Sequence, residues 1–294
     1  MEKQDYPKLY RESDILSIDA KRKHFWIVRS EIAILLFIAG ITSIAWDQVP
    51  NLRVAVEISS AILLVTAVFL SAILQMRKYD LVSFSGRAVG ESIKTESWKF
   101  MMKTEPYNGA ISDSVAEERF ITRLGEILRR QPSICSELAP FLQDDKQITE
   151  FMRHIRGLTF QNRQTEYIKS RLEDQRLWYA EKAGWNKNQE SKWFIITWML
   201  QLAAIAFAIV VIGLGDYAIN PVSILTTVGA CVFSWTHARS YRELSQSYGL
   251  TAQELSLLES RARLISTEEE LVEMVEDVER TISREHTVWL VRRV

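Results

Sequence analysis

Cysteine is scarce in this sequence, with Cys135 and Cys231 the only two among 294 residues. Two thiols cannot build a disulfide framework, and Cys231 lies inside an apolar run, so we expect both to be reduced. The four histidines are scattered, with no HExxH pair and no Cys–His spacing suited to zinc. These absences disfavour a disulfide-stapled or zinc-dependent protein, and no cofactor is expected.

The sequence also lacks the motifs of nucleotide-binding and hydrolytic enzymes. It has no GxxxxGK[ST] loop and no GxSxG, and the GLG at 213–215 lies in an apolar run. Arg284, Glu285 and His286 stand together near the end of the chain, but an ion-paired helix end anchored by Trp289 explains them better. We therefore expect no enzyme. The balanced charge, 36 Lys+Arg against 37 Asp+Glu, gives no sign of nucleic-acid binding.

Charge is absent or nearly absent from four long stretches. They cover residues 27–46, 54–74, 193–215 and 217–236, and the last two carry no charge at all. Each approaches the roughly 20 apolar residues that cross a bilayer. A core helix of a soluble protein keeps a polar face, which the last two stretches lack. We predict an all-α membrane protein with two transmembrane helical hairpins, hence four spans, and long cytoplasmic helical extensions.

The distribution of basic residues predicts the orientation of these spans. Six basic residues precede the first stretch, whereas the turn after it offers Arg53 alone and the turn around GDYAINP has none. The positive-inside rule therefore places both termini and the long middle segment in the cytoplasm. Aromatic residues flank the spans as interfacial belts do: they are Trp26, Trp46, Trp193, Tyr217 and Trp235.

The two halves of the chain look like a duplicated two-span unit, because each predicted hairpin is followed by a polar amphipathic segment. RLEDQRLWYAEKAGWNKNQESKW, LSQSYGLTAQELSLL and SREHTVWLVRR resemble the SLATT family, the SMODS- and SLOG-associating two-transmembrane effectors of bacterial conflict systems. RAVGESIKTESWKFMM followed by EPY is similar to another branch of that family. The candidate structural motif residues are Asp174, Gln175, Trp178, Tyr179, Arg284, Glu285, His286 and Trp289.

The resemblance implies an effector in the bacterial inner membrane that forms a pore or perturbs the membrane once infection is sensed. It implies no catalytic residues. We divide the chain into a first hairpin with flanking cytoplasmic helices (1–103), a cytoplasmic helical connector (104–160) and a second hairpin with a stalk and a C-terminal helix (161–294). The tandem arrangement favours a homo-oligomer around an axis.

The partners and the alternative functions stay open. No nucleotidyltransferase or SLOG-like domain is visible, so the trigger would be a cytoplasmic sensor protein or a diffusible ligand such as a nucleotide second messenger. The lipid bilayer is the other expected partner. A non-conducting membrane-anchored scaffold or sensor that recruits a cytoplasmic partner fits the same layout, as does a small regulated ion channel.

Polar side chains within the spans form the candidate site. Ser223, Thr227, Ala230 and Ser234 share one face of the fourth span. Such a face packs helices closely or lines a pore, and both interpretations stay open. We favour Glu57 and Gln201 as pore-lining, since pairing with Arg29 or snorkelling explains Glu31. The candidate pore-lining or interhelical residues are Glu57, Ser60, Ser71, Thr197, Gln201, Ser223, Thr227 and Ser234.

Several cytoplasmic helices can be predicted from caps and periodicity. Capping boxes are expected at Ser114/Glu117 and Ser266/Glu269, and a long helix is expected from Gln161 into the third span. The tail helix should carry an apolar stripe of Leu271, Met274, Val275, Val278 and Ile282, packed within the chain or on a neighbouring subunit. Five arginines could contact a phosphate or a lipid headgroup: Arg129, Arg130, Arg153, Arg156 and Arg163.

Overall fold

The computed structural model describes residues 2–44, 50–138, 147–214 and 221–291. Within these ranges the chain is helical and contains no strand, which confirms the all-α fold class. The helices are α1 (Lys8–Thr42), α2 (Pro50–Arg77), α3 (Tyr79–Met101), α4 (Asp113–Arg129), α5 (Pro132–Leu138), α6 (Glu150–Gly157), α7 (Phe160–Tyr167), α8 (Asp174–Leu214), α9 (Pro221–Arg239), α10 (Tyr241–Ala262) and α11 (Glu268–Val291).

Three helical stretches in the described ranges are long and apolar enough to cross a membrane. They are Lys8–Thr42, Asn51–Met101 and Phe160–Gly213. The fourth predicted span corresponds to α9, which is not among them. Its first residues, with Tyr217 and the turn around GDYAINP, lie outside the described residues, as does Trp46. The four-span hairpin layout therefore stays a prediction.

The chain forms two compact units. Unit 1 comprises Met1–Lys21, Asp80–Gly184 and Gln246–Val294, and unit 2 comprises Arg22–Tyr79 and Trp185–Ser245. Each unit draws on both halves of the chain. The predicted division at residues 103 and 160 stays a prediction.

Small residues let the start of α1 lie close to α3 in unit 1. The Ser17 hydroxyl donates to the carbonyl of Ser83 (2.8 Å), and the Ser83 hydroxyl donates to the carbonyl of Ser17 (2.9 Å). Gly86 of α3 faces Ser13 and Ser17 so closely that an added Cβ would lie 3.2 Å from atoms of both residues. These reciprocal bonds need a close approach of the two backbones, which serine and glycine permit.

Aromatic side chains fill the centre of unit 1. Trp98 is fully buried and donates its indole N–H to the Tyr6 hydroxyl at 2.9 Å. Phe100, Tyr107 and Phe120 form a second group with ring centroids 5.3 to 6.2 Å apart. Both groups depend on α3, whose last turns therefore anchor the unit.

The tail helix α11 packs within its own chain. All five stripe residues, from Leu271 to Ile282, are fully buried. Glu279 on the same helix contacts Thr95 and Arg171. Of the two alternatives for this stripe, the structure shows intrachain packing.

The predicted caps are displaced by one or two residues. The N-cap of α4 is Ser112, whose hydroxyl accepts the Val115 N–H, so the box expected at Ser114 is wrong. At α11 the Thr267 hydroxyl accepts the Glu270 N–H, and Glu270 accepts the Thr267 N–H. The box expected one residue earlier, at Ser266 and Glu269, is also wrong. Adjacent Ser and Thr residues offer competing caps, and packing of the helix chooses between them.

The predicted long helix into the third span is confirmed. Helicity runs from Phe160 to Gly213, with a π-helical turn at Ile168–Glu173 between α7 and α8. Such turns insert one extra residue into a helix and change the direction in which its side chains point.

Candidate functional site

A cavity of about 420 Å³ lies in unit 2 between α1 and α9. The α1 wall runs from Val28 to Thr42 and includes Glu31; the α9 wall runs from Ser223 to Ser234. The α9 residues 223, 227, 230 and 234 are spaced by four, three and four, which places them on one helical face. The face predicted from the sequence is therefore the face that lines this cavity.

Among the described residues that line the cavity, Glu31 alone carries a carboxylate. Its Oε1 accepts a hydrogen bond of 2.5 Å from the Ser71 hydroxyl of α2. The expected pairing with Arg29 is not formed, because the Arg29 guanidinium lies 5.4 Å from the ring centre of Trp235. No cationic side chain pairs with Glu31 within the described ranges.

Near the end of α9, two cationic side chains, Arg29 and Arg239, lie over the ring of Trp235. Arg239 lies 4.6 Å from the centre of the Trp235 ring and 4.0 Å from that of Phe25. Guanidinium groups stack well on aromatic faces. Stacking thus holds both Arg29 and Arg239 on the aromatic side chains and away from Glu31.

The hydroxyl groups of the α9 wall are arranged along the helix. Thr227 donates its hydroxyl proton to the carbonyl of Ser223 at 2.9 Å, which leaves the lone pairs of its oxygen as acceptors. Ser223 and Ser234 lie near the two ends of the same wall. The cavity therefore combines one carboxylate on α1 with several hydroxyl oxygens on α9.

The other four candidates lie elsewhere. Glu57 is exposed and pairs with Arg53, its Oε1 3.0 Å from the Arg53 Nε. Ser60 donates to the carbonyl of Val56, and Thr197 donates to that of Trp193. Gln201 is exposed on α8. The structure thus brings together Ser223, Thr227 and Ser234, with Ser71 joined through Glu31, and leaves these four out of the cavity.

The family-motif residues of α8 surround a group of aromatic rings in unit 1. Trp178 and Tyr179 lie 5.5 and 5.6 Å from the Tyr248 ring, and the Arg87 guanidinium stacks on Trp178 at 5.6 Å. Tyr179 is almost fully buried. These contacts join α3, α8 and α10, so these motif residues take part in the packing of unit 1.

The remaining motif residues divide into two sets. The Gln175 amide donates to the Asp174 carboxylate at 3.0 Å, and Gln175 is buried. Arg284 pairs with Glu254 of α10, as expected for an ion-paired helix end. The side chains of Glu285, His286 and Trp289 lie outside the described residues.

A buried ion pair lies at the centre of unit 1 and was missed by the sequence analysis. Arg171 makes two bonds to Glu279, at 2.8 Å from Nε and 2.7 Å from Nη2. Tyr167 and Thr95 donate to the same carboxylate at 3.1 and 2.7 Å. Burial disfavours the charged guanidinium, but the facing carboxylate outweighs it, so the pKa of Arg171 is raised. The partners are 108 residues apart, and no local pattern links them.

Three of the arginines considered as phosphate ligands are held by carboxylates of the chain itself. Arg153 pairs with Glu117 at 2.6 Å, and Arg156 with Asp113 at 2.8 Å. Arg163 pairs with Glu268. A phosphate would have to compete with these carboxylates, and the choice between phosphate and headgroup stays open.

All of these features describe a helical protein with membrane-length apolar helices and a compact polar unit. Residues 7–164 match SMODS and SLOG-associating 2TM effector domain 3, and residues 167–289 match SMODS and SLOG-associating 2TM effector domain 1. The chain therefore belongs to the SLATT family, with two domains in tandem, as its motifs predicted. SLATT domains are effector domains of conflict systems. No curated protein and no solved structure matches the chain significantly.

Proposed function

We propose that this chain is a membrane effector of a bacterial antiphage system and that it acts without catalysis. On a cytoplasmic trigger it oligomerises in the inner membrane and opens a cation-permeable pore that collapses the membrane potential. A sensor protein or a nucleotide second messenger delivers that trigger. Family membership, the membrane-length helices and the cavity of unit 2 support the proposal.

The distribution of side chains in unit 2 carries the proposal. Large apolar side chains such as Val65, Val68 and Phe69 are more than two-thirds exposed, whereas Ser60 of the same helix is buried. A soluble protein has the reverse arrangement, since exposed apolar patches of this size are rare in water. Helices in lipid instead keep small and polar groups inside. This arrangement supports both the membrane location and a polar interior.

The packing of unit 1 supports four crossings. Ser17 and Ser83 bond to each other, so the chain crosses the membrane an even number of times between them. Arg176 pairs with Glu259 at 2.5 Å. The same reasoning gives an even number of membrane crossings between these two residues. Each interval contains an apolar helix of membrane length. This arrangement supports two crossings in each interval, with α9 proposed as the fourth span. Unit 1 then lies on one side, which the positive-inside rule assigns to the cytoplasm.

The test is the membrane potential, followed with a voltage-sensitive dye in cells that express the intact chain, before and during phage infection. Cells without the chain provide the baseline. Depolarisation that precedes lysis would support the pore. A steady potential in cells that remain protected would contradict it and favour the scaffold, whose cytoplasmic partner could then be isolated with the chain.

A further inference from the structure

We propose that the cavity between α1 and α9 is a path for monovalent cations in each chain of the oligomer, and that the Glu31 carboxylate is its cation-binding group. The inference rests on the proposed function, because it assumes that unit 2 spans the membrane and conducts. It differs from the sequence-based expectation, which favoured Glu57 and Gln201.

Glu31 lies within the apolar part of α1 without a cationic partner among the described residues. It follows Ile27, the start of the first span, by four residues, or about 6 Å along the helix. An ionisable group at that depth is costly unless it faces water, an ion or a partner. The Ser71 hydroxyl satisfies one lone pair and leaves the charge itself uncompensated. A cation in the cavity would compensate it.

The α9 wall supplies oxygen atoms along the path. Ser223 and Ser234 are eleven residues apart, or about 16 Å on the helix, against a hydrocarbon core of about 30 Å. A volume of about 420 Å³ holds on the order of ten waters. Hydroxyl oxygens and water replace parts of the hydration shell of a cation, and a carboxylate favours cations over anions. An acyl chain in the same space would leave the Glu31 carboxylate without a counter-charge.

The first experiment measures ion selectivity of the purified full chain in planar bilayers across a KCl gradient. Glu31→Gln should lower the cation-over-anion permeability ratio several-fold. Glu57→Gln is the matched control, because it removes an exposed carboxylate that pairs with Arg53, and its ratio should equal that of the wild type. Wild-type currents with an unchanged ratio in Glu31→Gln would overturn this inference while the pore stands. A wild type that never conducts would overturn the pore, and the path with it.

The second experiment does not depend on gating. Thr227→Cys and Thr226→Cys are compared in a chain carrying Cys135→Ser and Cys231→Ser, using a cationic methanethiosulfonate reagent. Both threonines bond to carbonyls of their own helix, but Thr227 lines the cavity and Thr226 is exposed outside it. Only a hydrated thiolate reacts, so Thr227→Cys should be modified several-fold faster. Equal rates would mean a dry or lipid-filled cavity and would overturn the inference.

Discussion

At the residue scale, the Arg171–Glu279 pair is the most tightly enclosed charged group that we describe, since both side chains are at most 1% exposed. Glu279→Gln would keep the shape and leave the guanidinium without its counter-charge. Breaking a buried pair on one side costs about 3–5 kcal/mol. We expect a loss of this size in the free energy of unfolding, measured by denaturant titration in detergent. Glu273→Gln on the exposed face of the same helix should change little, and equal effects would contradict the prediction.

The Glu259 carboxylate makes the free energy of unfolding depend on pH. Hydrogen bonds from Arg263 and Arg176 hold the pKa of Glu259 below its ordinary value in the folded chain. The unfolded chain then binds a proton at a higher pH than the folded one. The contribution of Glu259 to the free energy of unfolding is therefore complete above the pKa of about 4.3 that it has in the unfolded chain. That contribution is lost as the pH falls towards the lower pKa of the folded chain.

The expected result is a difference between two acid-unfolding curves. Between pH 5 and pH 3 the thermal midpoint of the wild type should fall further than that of Glu259→Gln, because that variant has no proton to take up. The measurement is the thermal midpoint at each pH. Parallel curves for the two proteins would show that Glu259 has the same pKa in the folded and the unfolded chain, which would contradict the prediction.

Residue spacing in the sequence could predict part of the candidate site. The serines and threonine of α9 were assigned to one face by their spacing, and that face lines the cavity. The sequence explains Glu31 either by pairing with Arg29, which is close in the chain, or by snorkelling. The pairing is not formed, and Arg29 instead lies over the aromatic ring of Trp235, some two hundred residues away in the chain. Spacing predicts which residues share a face, but not which helix that face meets.

At the scale of elements, α3 contains a matched pair of glycines. An added Cβ at Gly86 would lie 3.2 Å from the Ser13 carbonyl oxygen and 3.2 Å from the Ser17 Cβ, whereas at Gly90 the nearest atom is 3.7 Å away. Alanine gains roughly 1 kcal/mol of helix propensity at either position. Overpacking costs about 1–3 kcal/mol, and only at Gly86 does it apply.

We therefore expect Gly90→Ala to be stabilising by up to about 1 kcal/mol and Gly86→Ala, after the gain in propensity is subtracted, to be less stable than the wild type by up to about 2 kcal/mol. The two variants differ in position alone, so each is the control for the other. Denaturant midpoints in detergent provide the comparison. Equal gains in both would mean that α1 and α3 separate easily and that the reciprocal Ser17–Ser83 bonds contribute little.

Elements were predicted better than their ends. The stripe of α11 and the continuous helix from α7 into α8 follow from apolar periodicity, which many residues report together. Caps depend on one or two hydroxyls, and Ser112 and Thr267 displaced the expected Ser114 and Ser266. The π-helical turn at Ile168–Glu173 has no signal in the local pattern.

At the scale of the whole molecule, the tandem duplication does not produce two separate bodies. Both matched segments contribute to both compact units, so each unit is completed only when the second half is present. The buried pair illustrates this, because Thr95 from the first segment and Arg171 from the second hold the same carboxylate. A repeat in the sequence indicates duplicated elements, whereas their pairing is decided by contacts between distant residues.

The number of crossings determines on which side of the membrane the last part of the chain lies. Three spans would place Leu264, an exposed side chain after α10, outside, and four would place it in the cytoplasm. Leu264→Cys is compared with Asn51→Cys, an exposed position at the expected outer turn, in the Cys135→Ser and Cys231→Ser background. A membrane-impermeant maleimide should label Asn51→Cys in intact spheroplasts and Leu264→Cys only after permeabilisation. Labelling of both in intact spheroplasts would exclude α9 as a span, and with it the cation path along its hydroxyl face.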